Sequence, residues 1–211
     1  VYKRQVNYYA AGTAIVDDIV VRRFPVRRRD TAAFDRVNRK LMQGQRLSLQ
    51  EEQTFVEEMV NSPQLYEYML DSSDDYSLYV FIPYMFGTTY FGMQICPEKS
   101  VLIPCFHDEA YLYLRLFRQA YIQARGMIYN AMPEMELAGR VYDFSSTEQI
   151  CMGIGMDTDL HPDAEAFRKA YHIEKPFLLY AGRKDTGKNV HTLLRYFAAV
   201  SYTHLTLPTN S

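Results

Sequence analysis

The chain has 211 residues, 48% of them apolar and 14% aromatic, enough for a buried core and incompatible with wholesale disorder. Its 23 basic and 25 acidic residues leave a formal net charge of −2, which removes any general electrostatic reason to bind nucleic acid. Cys96, Cys105 and Cys151 are too far apart for a Cys-x-x-Cys clamp and stand in apolar contexts, as expected of buried thiols in a reducing cytoplasm rather than of disulfides or a metal site.

In chain order, residues 1–10 contain no continuous apolar core of the kind a secretion signal needs. The stretch "DIVVRRFPV", residues 18–26, predicts a strand closed by Pro25, and Arg22, Arg23, Arg27, Arg28 and Arg29 read as a solvated edge and loop. Polar amphipathic helices are expected at 31–43 and 49–61, with a third, shorter one after Pro63. Ser48 precedes Glu51 at capping-box spacing. Residues 76–97, "YSLYVFIPYMFGTTYFGMQICP", carry no charge, and a run of about twenty apolar residues can span a bilayer. Pro83, Gly87 and Gly92 interrupt this run, however, and Thr88, Thr89 and Gln94 dilute it. A strand, a proline stop and a buried helix are expected instead of a transmembrane span.

Beyond Asp75, short apolar runs alternate with helical patterns. Strands are expected at 78–82, 100–105, 126–129 and 149–154, and helices at 84–95, 110–124 and 133–142, with Glu134 and Glu136 stabilising the first turn of the last. Apolar strands separated by crossover helices predict a parallel sheet covered on both faces. Ligands of such sheets bind beyond the carboxyl ends of the strands. These ends lead into Gly87, into "PCFHDEAY", into Asn130 and into "GIGMDT". A polar segment with a short helix follows, then a strand from 176 to 181 and a helix over 190–200.

Between these last two lies "LLYAGRKDTGKNVHTLL", residues 178–194. Gly182, Gly187 and Lys188 have the spacing G-x-x-x-x-G-K of a phosphate loop, but Asn189 stands where a hydroxyl would ligate magnesium. Strand, glycine turn and helix start aim backbone N–H groups and a positive dipole end at an anion. Arg183 offers a planar fork to phosphate oxygens and Lys188 a mobile point charge, a pairing suited to a diphosphate.

"PFLLYAGRKDTGKNVHTLLRYF" resembles the first strand, loop and helix of the C-terminal domain in family-4 glycosyltransferases, retaining enzymes of the two-domain GT-B fold. "YVFIPYMFGTTYFG", "SVLIPCFHDEAY" and "GIGMDT" are similar to successive segments of the N-terminal domain of bacterial members. The resemblance implies an α/β fold with a partial N-terminal Rossmann-like domain at 6–158, a linker at 159–175 and the start of the nucleotide-sugar domain at 176–199. It implies that Arg183 and Lys188 hold the donor diphosphate and that Gly182 allows its close approach. His107 would face the sugar or acceptor pocket, with Gly87, Asp108 and Glu109 nearby. Neither a metal nor a cofactor is expected, the donor being a nucleotide diphosphate sugar and the acceptor a sugar or lipid-linked glycan. The reaction would then serve cell-surface glycan synthesis in the cytoplasm, with peripheral association at the inner face of the membrane.

The family's glycine-rich loop of the N-terminal domain and its ribose-binding E-x7-E motif have no counterpart here. "VYKRQ" at 1–5 and the C-terminal "SYTHLTLPTNS", in the stretch 200–211, resemble translated adapter read-through, so the chain is expected to be a fragment with non-native ends and inactive alone. Two other readings stay open at this point: a P-loop-like NTPase, and a non-catalytic α/β domain that binds a phosphorylated sugar.

Overall fold

The computed structural model describes residues 9–184 and 186–200; the expected non-native ends at 1–5 and 201–211 lie outside them. The first elements form a hairpin, β1 (Gly12–Val16) paired antiparallel with β2 (Ile19–Arg23), Val16 opposite Ile19. The turn residues Asp17 and Asp18 both have positive φ, 48° and 62°, as a tight two-residue hairpin turn demands. The single strand expected at 18–26 is therefore only the second arm of this hairpin, and it ends before Phe24.

Helix α1 (Thr31–Met42) is capped by Asp30, whose side chain accepts from Ala33 N at 2.9 Å. Helix α2 (Leu49–Glu57) starts on the expected capping box: Ser48 Oγ accepts from Glu51 N at 3.2 Å, and Glu51 Oε2 accepts from Ser48 N at 2.8 Å. Lys40 also donates to Glu51. With the Ser48 amide and hydroxyl, it holds the Glu51 pKa down to about 2 from 4.5. A carboxyl whose folded pKa is depressed stabilises the fold above its unfolded pKa and loses that contribution as pH falls through the folded value. Thermal stability should accordingly fall between about pH 4.5 and 2 by more in the parent than in Glu51→Gln, as read by circular dichroism melts. Equal pH profiles would contradict this role.

After α3 (Pro63–Asp71) comes a four-stranded, all-parallel sheet: β3 (Tyr79–Phe81), β4 (Ser100–Leu102), β5 (Gly126–Tyr129) and β6 (Glu148–Cys151), in the order β3-β4-β5-β6. The connecting helices are α4 (Gly87–Gly92), α5 (Arg115–Tyr121) and α6 (Met132–Val141). Two are shorter than expected. Tyr84 N still donates to Pro104 O at 3.0 Å, so the chain remains attached to the sheet where a helix from 84 was expected. Extended backbone at Leu114 (φ −62°, ψ 133°) divides the expected helix at 110–124 into a 3-10 turn, Ala110–Tyr113, and α5.

Sequential strand order with right-handed crossovers places the connecting helices on one face of a sheet. Phe81, Leu102, Met127 and Tyr129 point to that face. They join a core with Tyr90 and Met93 of α4, Phe117 and Tyr121 of α5, and Leu137 and Ala138 of α6. The alternate residues Val80, Ile82 and Ile150 are 57%, 60% and 53% exposed, and Val101 and Ile128 are half-buried. The expected cover on both faces is thus not what the structure shows. Helices α1 and α2 add their apolar stripes (Val37, Leu41, Phe55, Val56) to the helical side of the same core.

The chain divides after Met156 into two compact units. The second carries α7 (Ala164–Ala170), capped by Asp163, and α8 (Val190–Val200). No strand forms at 176–181. The segment is exposed, and Phe177 packs its ring on Phe167 of α7 at 5.9 Å, with the Arg168 guanidinium 5.2 Å from its centroid. A strand needs a neighbour to satisfy its backbone, and among the described residues of this unit none pairs with it. No helix of the described residues is long and apolar enough to cross a membrane.

Candidate functional site

In the first unit the expected site residues lie where the chain leaves β3 and β4. Parallel pairing runs past both strands, through Ile103 N to Phe81 O (2.8 Å) and Tyr84 N to Pro104 O (3.0 Å). Cys105 then turns the chain with φ 55°, and Phe106 drops into the core. Its ring stacks on Tyr142 at 5.2 Å and meets Tyr84 edge-on at 4.9 Å. His107 follows immediately and is exposed. It therefore stands on the loop beyond the strand.

The two acidic neighbours diverge. Asp108 Oδ1 accepts from Tyr113 OH at 2.6 Å, whereas Glu109 Oε1 accepts from Tyr84 OH at 2.8 Å. Burial first, and then the charge of Glu109, pushes the Tyr84 phenol far above its ordinary pKa, so it stays a donor at any physiological pH. Glu109 is thereby anchored to the core from one side of His107 as Phe106 is from the other. Among the described residues no group of three His, Cys, Asp or Glu converges to hold a metal.

Glu134, read from the sequence as a helix-dipole residue, turns out to organise this rim. It sits in the first turn of α6, buried to 9% exposure, and its two oxygens accept from Phe106 N at 2.8 Å and Asn130 N at 2.9 Å. One carboxylate thus ties the loop beyond β4 to the loop beyond β5. A signal was present: Glu134, Leu137 and Ala138 fall at i, i+3 and i+4, which puts the glutamate on the inward stripe of the helix.

Gly87 serves packing. A Cβ there would stand 2.7 Å from Val56 O and 2.8 Å from Val60 O, so only glycine lets the start of α4 approach the end of α2. Tyr66 OH reaches its carbonyl at 3.2 Å.

In the second unit Gly182 adjoins an aromatic ring, since a Cβ would lie 2.8 Å from the Tyr180 hydroxyl, which donates to Arg183 O at 3.0 Å. Arg183 and Lys188 are exposed, Lys188 closing a 3-10 turn, Thr186–Lys188, that runs directly into α8. Asn189 has φ 53°, a left-handed conformation that asparagine tolerates. Its carbonyl opens the helix by accepting from Thr192 N at 3.1 Å and Leu193 N at 3.3 Å. The amides of the first turn of α8 therefore follow the two cations in the chain, without the strand that would complete a phosphate loop. No protein-family model, curated protein or solved structure matches the chain.

Proposed function

We propose that this chain serves a retaining glycosyltransferase of the GT-B kind, moving a sugar from a nucleotide diphosphate sugar to the hydroxyl of a sugar or lipid-linked glycan acceptor. The observation that carries the reading is the sequence of Arg183, Lys188 and the start of α8 along one short turn, with Asn189 in place of a metal-ligating hydroxyl. In this reading the two cations and the first-turn amides of α8 bind the donor diphosphate. They stabilise the charge that develops as it leaves. The parallel sheet of the first unit supports the same reading in its coarser form, because such sheets carry ligands beyond their carboxyl ends. His107, held on an anchored loop at that rim, is assigned to the sugar or acceptor pocket. The cytoplasmic face of a membrane is the setting in which lipid-linked acceptors would be met.

The test is turnover. In the full-length protein, transfer of a radiolabelled sugar should fall about tenfold or more in Arg183→Ala and in Lys188→Ala, the loss expected for one charge-assisted contact. Asn189→Ser, which completes the phosphate-loop spacing, should produce no magnesium-dependent ATP hydrolysis. Robust ATPase activity in the parent or in that variant would overturn the proposal in favour of a nucleotide-hydrolysing loop.

A further inference from the structure

A cleft of ≈ 650 Å³ opens between β2, α3 and the edge strand β3. Its size is that of a small-molecule site. Leu65, Met69 and Val80 give it an apolar floor, while Tyr68 and Tyr76 form an aromatic wall. The two phenols bond each other, hydroxyl to hydroxyl, at 2.6 Å, which fixes both rings. Over the Tyr68 ring lies the Arg22 guanidinium, 5.2 Å from the centroid. Among the described residues no carboxylate forms an ion pair with Arg22, so a full positive charge is held at the rim of an apolar cleft. Arg22 Nη1 donates to Thr13 Oγ1 at 3.4 Å, which helps orient the guanidinium, and its five-donor fork still has N–H groups to offer an anion.

We propose that this cleft binds a small amphipathic anion: an apolar body the size of a phenylalkyl or short acyl group, seated on the floor, with one carboxylate or phosphate on Arg22. The floor supplies affinity by removing apolar surface from water, and Arg22 selects the charged head. The site lies wholly in the first unit and does not depend on the reading of Arg183 and Lys188.

Isothermal titration with three probes tests it: 4-phenylbutyrate, its neutral counterpart 4-phenylbutanol, and acetate. The carboxylate should bind saturably at one site, the alcohol at least about tenfold more weakly, and acetate without detectable heat. Arg22 is exposed and its removal leaves the core intact, so Arg22→Ala should erase the preference for the carboxylate over the alcohol. Leu65→Trp, which fills the cleft, should abolish binding of both. No saturable binding, equal affinity for acid and alcohol in the parent, or unchanged binding in either variant would each overturn the assignment.

Discussion

Glu134→Ala is expected to cost about 2–6 kcal/mol of folding stability, because the buried Phe106 N–H and the part-buried Asn130 N–H lose their acceptor at once and each unmet donor costs ~1–3 kcal/mol. The carboxylate bonds Phe106 N at 2.8 Å and Asn130 N at 2.9 Å from a helix turn that otherwise faces the core. The loss should be local as well as global. Amide exchange should accelerate first at Phe106 and Asn130, ahead of the sheet amides, and His107 should lose its fixed position with them. Glu134→Gln keeps one acceptor oxygen and presents a second donor to the other amide, so it should fall between parent and Ala. Urea unfolding within about 0.5 kcal/mol of the parent for Glu134→Ala would contradict this account of the rim.

Phe117→Ala should be comparably severe, at ~3–5 kcal/mol, the range found for large aromatic truncations in cores. Phe117 is fully buried and packs on Tyr121 at 5.2 Å, Tyr84 at 5.6 Å and Tyr90 at 5.9 Å, so α5, the β3 exit and α4 all meet on it. A domain of ordinary stability has only about 5–15 kcal/mol to lose. Phe117→Leu, nearer in volume, should cost distinctly less. Chemical denaturation of both variants would decide, and a Phe117→Ala midpoint close to the parent value would contradict a single shared core.

The parallel sheet was legible because its strands read as apolar runs of the right length between helical patterns, and the Ser48/Glu51 capping box because it is a purely local arrangement. The first hairpin arm, "GTAIV", is missing from the expected elements because two aspartates, without the usual glycine, do not announce the positive-φ turn that joins it to β2. The strand expected at 176–181 failed for another reason. Strand propensity is realised only against a partner, and Phe177 finds Phe167 instead. Glu52 and Glu134 teach the same lesson twice. Each stands one turn before buried apolar residues, at 55 and 56 and at 137 and 138, and each spends its carboxylate on an amide of another element, Leu116 N at 3.0 Å in the case of Glu52. An acidic residue on the apolar stripe of a helix is a prompt to ask which distant N–H it meets.

The donor site is tested most directly by isothermal titration of UDP-glucose and GDP-mannose into the full-length protein and into its Arg183→Ala/Lys188→Ala double variant. At least one nucleotide sugar should bind saturably to the parent, and its affinity should drop by about tenfold or more when both cations are removed. Binding of equal strength in the parent and the double variant, or binding of neither compound, would contradict the assignment of this turn to a donor diphosphate.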